Sequence, residues 1–442
     1  MQRLLGVFFC VIVAIAGTSQ QPDNELFFDH LTISDGLSHN TVHCLLQDRY
    51  GYIWAGTQHG LNKYDGYNFE VVRSLNEEEE NLGLFGAKIT ALYEDRKGNL
   101  WVGTSKNGIY YRPVHNDRFI SLNQDSAYIF IADHEITSFL EDREGQIWIT
   151  TIEGGLLQYT PSDGTTRHYT QANSGLSSDV VFDIKEDKYG TIWVATAGGG
   201  LNILGEDHRF QLSHPMLPNH PNMSGYRKKL LLDDEYLWVA TEGTGLYRMD
   251  TRDRTYLHFA PGLETRSLSS NGVRDICKMP DGTVFIATDG GGLNIYSPDT
   301  EEITEYRYQV KNKTGLNSDA LYCIEKDRTG NIWIGTYNGG INIYKPWKVW
   351  FRQFAPGMTG SKTLYNRSIL ALAQTHDSVV WIGSDGGGLN RLTPEHSQFI
   401  IPPFRHQPND KRSIAGNVVK ALFEDSRNRL WVGLFGAGLD RY

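Results

Sequence analysis

The sequence is short of cysteine, of positive charge and of long apolar runs, and each shortage closes off a class of protein. Only 4 of 442 residues are cysteine. Cys10 lies in an N-terminal apolar run, which leaves Cys44, Cys277 and Cys323. An odd, widely spaced set without a CxxC pair is neither a disulfide framework nor a thiolate metal site. All three sit in strand-like apolar runs, where cysteine acts as a small buried side chain. Lys and Arg number 42 against 52 Asp and Glu, so the net charge is −10. A nucleic-acid partner is therefore not expected, because phosphate contacts need a basic face. Helical periodicity is missing along the whole chain. HExxH, GxSxG and GxxxxGK[ST] are missing as well. His39 and His43 stand four apart, but in a loop-to-strand stretch rather than on a helix, so zinc-helix spacing does not apply. The runs Thr288–Gly292 and Ser384–Gly388 resemble phosphate loops in composition only, since no helix follows them. No catalytic residue, metal or cofactor is expected.

The one long apolar run is Leu4–Ala16, preceded by Arg3 and ending in Ala14-Ile15-Ala16. That pattern reads as a secretory signal peptide over residues 1–20. It is short for a membrane-spanning helix, which needs about 20 residues; an uncleaved N-terminal anchor is the alternative. The expectation is an exported, periplasmic chain.

What the sequence has in excess is glycine, 46 residues, with 10 tryptophans and 23 tyrosines. Aligning the tryptophans exposes a repeat. Trp54, Trp101, Trp148, Trp193, Trp238, Trp333, Trp381 and Trp431 share one context, and Phe285 fills the same slot. Neighbouring copies stand 45 to 50 residues apart, giving nine units. A period this long indicates a solenoid, propeller or array. Each unit reads as four short strands. An apolar residue recurs twelve before the aromatic (Val42, Ile89, Ile136) and another nine before it (Leu45, Leu92, Phe139). Between them comes a small residue, as at Cys44, Ala91, Ser138 and Cys323. An Asp-to-Gly turn such as Asp48-Arg49-Tyr50-Gly51 leads into the aromatic strand, Asp bonding its own backbone and Gly accepting positive φ. A glycine-rich turn, a third strand and a weaker fourth strand complete the unit. The fold class expected is all-β: a β-propeller of four-stranded antiparallel blades. The nine aromatics would be the packing wedges between blades, each burying on the order of 150–250 Å².

The strings Asp35–Val42, Asp48–Thr57 and Gly60–Tyr64, repeated over Gly175–Leu201 and Gly315–Tyr344, closely resemble the two-component regulator propeller repeat. That family supplies the extracytoplasmic sensor region of hybrid two-component systems. The resemblance implies two successive seven-bladed propellers, a small β-sandwich, one membrane helix and a cytoplasmic histidine kinase, with many members responding to oligosaccharides. It further implies a homodimeric full-length protein in the inner membrane. The sequence stops at Tyr442, in the third strand of the ninth blade, so the expectation is an N-terminal fragment whose kinase activity does not carry over. Blades 1–7 would form one propeller over 26–346, closed by a strand at 26–31. Residues 347–442 would hold blades 8 and 9 of an incomplete second one. Trp347 and Trp350 would then pack at the junction.

Propeller geometry selects a ligand face, made by the loops that enter the first strand and those that join strands two and three. That surface would carry His39, Gln58 and His59 from blade 1, Lys106 and Asn107 from blade 2, and Glu153 from blade 3. Glu242, Asp289, Tyr337 and Asn338 would follow from blades 5 to 7. Amides, acids and an aromatic in such a mixture suit sugar recognition. Asn40, Asp179, Asn271 and Asp319 occupy equivalent positions and read as turn caps instead. The repeated turn aspartates Asp48, Asp95, Asp142, Asp187, Asp327 and Asp425 recur too regularly to mark one active centre. Cys44 and Cys323 share a slot in blades that ring closure makes neighbours, where a disulfide would lock the ring in an oxidising periplasm; free thiols are the leading expectation, because equivalent positions on adjacent blades are expected to stand further apart than the Cα separation of about 5.5–6 Å that a disulfide needs. The reading is a ligand-sensing region for an oligosaccharide or other small molecule. The alternatives are a secreted propeller hydrolase or lyase acting on polysaccharide, and a non-catalytic scaffold.

Overall fold

A computed structural model describes residues 26–72, 84, 86–123, 128–131, 133–198, 200–214, 227–263, 266–346, 364–393, 398–399 and 403–442. The proposed signal peptide, Trp347 and Trp350 lie outside them. Among the described residues there are nine antiparallel sheets, eight of four strands and one of three. Helix is confined to single turns at Ile33–Asp35 and Gln171–Ser174. The chain divides into two compact units, with Leu26–Arg352 forming one and Gln353–Tyr442 belonging to the other.

The first unit holds seven sheets in a closed ring. Strand Phe28–Leu31 pairs antiparallel with Ile341–Tyr344, in register Phe28↔Tyr344 to Leu31↔Ile341. The first strand thus completes the seventh blade with residues from the opposite end of the unit. Blade 7 then meets blade 1 directly. Gly340 N–H donates to the Asn40 carbonyl at 2.9 Å, and the Arg328 guanidinium reaches the Asp48 and Arg49 carbonyls at 2.8 and 2.7 Å.

The same two joints recur around the ring. In blades 1 to 4, a basic residue after the turn aspartate grips a glutamate of the next blade. Arg49 binds Glu94 at 2.5 Å, Arg143 binds Glu186 at 2.6 Å and Lys188 binds Glu235 at 3.1 Å. Between blades sits the aromatic wedge. Trp101 packs with Phe139, Ile147 and Ile149 of the next blade, and Trp333 with Val42, Leu45 and Ile53 of blade 1. Trp148 and Trp238 are 1% exposed and Phe285 is 4% exposed, so the wedges are core. The turn aspartates do more than shape the turn. One carboxylate oxygen accepts turn amides while the other accepts the indole N–H, as in Asp142 to Trp148 at 2.7 Å and Asp48 to Trp54 at 2.8 Å.

In the second unit, two further blades with inner strands Ile369–Gln374 and Val419–Glu424 pack through Trp381, Leu389, Val419 and Val432. Trp431 is half-buried there.

Candidate functional site

In every blade of the ring but the fifth, the inner strand carries a register break that sets the site. In blades 1–4, 6 and 7 one extra residue is inserted just after the recurring apolar position, so two residues face one partner. Such a bulge re-aims a side chain and increases local twist. The extra residues are His43, Thr90, Thr137, Phe182, Arg274 and Tyr322, and all six line a cavity of about 510 Å³ in the centre of the ring. Blade 5 has no bulge. Lys228 pairs Thr241 there, so a lysine occupies the position that is apolar in the other blades. It is 4% exposed, donates to the Thr196 carbonyl at 2.8 Å and lies 5.4 Å from the Phe182 ring. Burial lowers its pKa to about 8.

Around the mouth of this cavity the side chains form a chain of contacts. Gln58 Oε1 accepts from the His43 ring at 2.9 Å, and His43 stacks on Tyr322 with ring centres 5.8 Å apart. Tyr322 contacts Tyr337 at 5.6 Å, and the Arg274 guanidinium lies 4.4 Å over the Tyr322 ring. Arg274 binds Glu242 at 2.5 Å and Asp289 at 2.7 Å. On the other side Glu135 of blade 3 bridges Lys88 of blade 2, at 3.8 Å, and Arg227 of blade 5, at closer range. Burial holds His43 down to about 4, and the Lys88 and Arg227 charges act in the same direction. At neutral pH it is a neutral hydrogen-bonding ring.

Deeper in the channel, the slot following the bulge holds Cys44, Ala91, Ser138, Asp183, Lys229, Asp275 and Cys323, each paired with the residue two beyond the blade aromatic. The small residue of blades 1 to 3 and 7 gives way in blades 4 to 6 to an Asp-Lys-Asp run. Asp183 is fully buried and accepts from Ser138 Oγ at 2.6 Å and Leu230 N–H at 2.9 Å, with Lys185 at 3.3 Å and Lys229 at 3.5 Å. Burial opposes its charge, but the two ammonium groups and these donors outweigh it and hold the carboxyl at about 2. The charge is tolerated because it is compensated on several sides. Glu325 has less help, and burial pushes its carboxyl up to about 7.

Four residues expected on the ligand face meet at this mouth: Gln58, Glu242, Asp289 and Tyr337. Each directly follows the threonine that ends a second strand. His39 and His59 stack on each other at 5.8 Å, and neither lines the cavity. Asn107 N–H is taken by Thr104 Oγ1 and its carbonyl by Asn123, so it braces its own loop. Lys106, Glu153 and Asn338 are exposed on loop tips, Glu153 with φ of 69°. Asn40, Asp179 and Asp319 accept backbone N–H groups at 3.0, 2.6 and 2.7 Å, and the carbonyls of all three, like that of Asn271, accept a glycine N–H from the preceding blade. Cys44, Cys277 and Cys323 are free thiols. Sequence reasoning missed Lys88, Glu135, Arg227, Arg274 and Tyr322. The available signal was their register: Lys88, Glu135 and Arg227 hold one slot before the inner strand, and Arg274 and Tyr322 share the bulge slot with His43.

The sequence model of the family described as "Two component regulator propeller" matches residues 36–59, 83–106, 131–153, 175–198, 315–338 and 413–436. A curated relative, Histidine kinase P4 of Formosa agariphila, is 36% identical over 81 residues, 18% of this chain and 6% of that protein. Among solved structures, the extracellular domain assigned to a hybrid two component system of B. thetaiotaomicron matches with TM-score 0.75 and 23% identity. It covers 94% of this chain and 53% of that one. A second such domain from the same organism gives TM-score 0.60 at 23% identity, over 94% and 52%. A streptogramin B lyase gives TM-score 0.53 at 15% identity, over 73% and 98%. These structural likenesses establish the fold; the chain spans about half the length of the two-component domains it matches. The matched segments fall on blades 1 to 4, 7 and 9, and those six blades match the two-component regulator propeller repeat.

Proposed function

We propose that the chain is the extracytoplasmic ligand-sensing propeller region of a two-component sensor, and that the ligand enters the channel mouth of the first propeller. One observation carries this reading: the bulge residues of six blades converge on a polar cavity whose rim is aromatic on one side and charged on the other. A sugar ring is recognised by that combination, with a flat aromatic edge for the ring face and fixed donors and acceptors for its hydroxyls. Among the described residues no helix is long and apolar enough to cross a membrane. Export to the periplasm, an oligosaccharide ligand, a histidine kinase parent and a homodimeric full-length protein belong to the same proposal. In it the chain itself carries out no reaction, and signalling proceeds by a population shift in a membrane-linked assembly. The acids nearest the mouth fit this role, since Glu242 and Asp289 are both engaged by Arg274.

A thermal-shift screen of oligosaccharides against the purified chain tests the reading, because a ligand that binds only the folded state raises the melting temperature. The expected result is a stabilising saccharide whose effect is lost in Tyr322→Ala. Glycan cleavage abolished by one acidic substitution would instead establish the propeller as an enzyme.

A further inference from the structure

The wall of the central channel carries more cations than acids, most of them paired with carboxylates, in a chain whose net charge is −10. Six cations line the cavity, Lys88, Lys185, Arg227, Lys228, Lys229 and Arg274, against three acids, Glu242, Asp275 and Glu325. The cations also differ in what they are committed to. Lys185 and Lys229 are held at depth by Asp183, and Arg274 by Glu242 and Asp289. Lys88 and Arg227 come from blades 2 and 5 and share a single carboxylate, that of Glu135 on blade 3. Arg227 reaches past blade 4 to make this contact, and Glu135 itself stands outside the cavity wall that its two partners line. One carboxylate between two cations of different blades marks a position where an anion is already stabilised. Lys228 is a further cation on the cavity wall, from a position that is apolar in the other blades of the ring, with its ammonium donating to the Thr196 carbonyl.

We propose that the mouth of the first propeller selects an acidic saccharide, whose carboxylate or sulfate takes over Lys88 and Arg227 from Glu135 while its ring lies against Tyr322 and Tyr337. This rests on the channel mouth being the ligand site. Glu135 then acts as an internal stand-in for the ligand's anion. Removing its charge frees two cations and strengthens binding, which an unfolded variant cannot imitate.

Calorimetric titration of the full chain with trigalacturonate, a sulfated galactose disaccharide and neutral galactotriose tests the inference, and the first two separate carboxylate from sulfate. At least one acidic probe is expected to bind ten-fold or more tightly than galactotriose, and to weaken as salt rises. Lys88→Gln should weaken that binding at least ten-fold, Lys88→Arg should largely retain it, and Glu135→Gln should tighten it several-fold. Equal binding of acidic and neutral probes overturns the proposal, as does an acidic probe indifferent to Glu135→Gln. So does the failure of every acidic probe at millimolar concentration with both wild type and Glu135→Gln. Hydrogen exchange separates this from failure of the site itself. Galactotriose protecting residues 41–44 and 320–323 leaves the mouth as the ligand site and removes only the charge preference; protection confined to other segments removes both.

Discussion

In blades 1 to 4, 7 and 9 the aspartate six residues before the tryptophan accepts the indole N–H, and it carries two jobs on two oxygens. In blade 3, Asp142 Oδ1 accepts the Glu144 and Gln146 amides at 3.0 and 2.9 Å, while Oδ2 accepts the Trp148 indole N–H. Loss of a charged acceptor from three buried or half-buried donors costs about 2–4 kcal/mol. Asp142→Ala should therefore lower the urea midpoint with little change in m. Asp142→Asn, which keeps an acceptor for the turn, should lose less. Glu325 makes the opposite prediction. Its pKa rises from an ordinary carboxylate value to about 7 on folding. The folded state then holds the proton more tightly than the unfolded one, so the contribution is full below the unfolded pKa and declines as pH rises through about 7. Glu325→Gln should be more stable than wild type at pH 8, with the gain disappearing towards pH 4 in parallel denaturation curves. The repeated aspartates were visible in the sequence as turn formers. Their indole bonds were not, because the turn signal is local whereas the ring position depends on how the second strand folds back.

At the scale of the strand, the inner bulge decides both packing and function. The residue paired just beyond it is glycine in several blades, because the next blade comes too close for a side chain. A Cβ on Gly103 would stand 2.6 Å from both Cβ and Cγ2 of buried Ile136. A branched side chain held by its own strand cannot move aside, and overpacking of this kind costs about 1–3 kcal/mol. Gly103→Ala should lower the melting temperature, and a compensating Ile136→Val should recover part of it. The same bulge turns His43, Arg274 and Tyr322 towards the channel. The alternation of strand residues in the sequence does not show an inserted residue, so these three read as ordinary positions. Gln58, Glu242, Asp289 and Tyr337 were legible because they sit at a fixed distance after a visible strand. His59, Lys106, Glu153 and Asn338 lie one residue further, where the turn has already carried the chain away from the mouth.

For the whole first unit, the joint that matters most is the pairing of Phe28–Leu31 with Ile341–Tyr344. It links strands more than 300 residues apart and covers an edge that would otherwise be free to pair with another chain. A chain that begins at residue 32 should melt at lower temperature and self-associate at concentrations where the longer chain stays monodisperse, as measured by sedimentation velocity. Equal melting and equal sedimentation would mean that the strand is dispensable for closure. The sequence alone determined the period, the four strands of each blade, the aromatic wedges and their turn aspartates, because each is a local pattern repeated at fixed spacing. Only the tertiary structure decided which polar residues face one another. Lys88, Glu135, Arg227, Arg274 and Tyr322 come from five blades and meet because the ring brings the same two register slots at the start of its inner strands to a common axis. Convergence on an axis is a property of the closed ring, and no single repeat contains it.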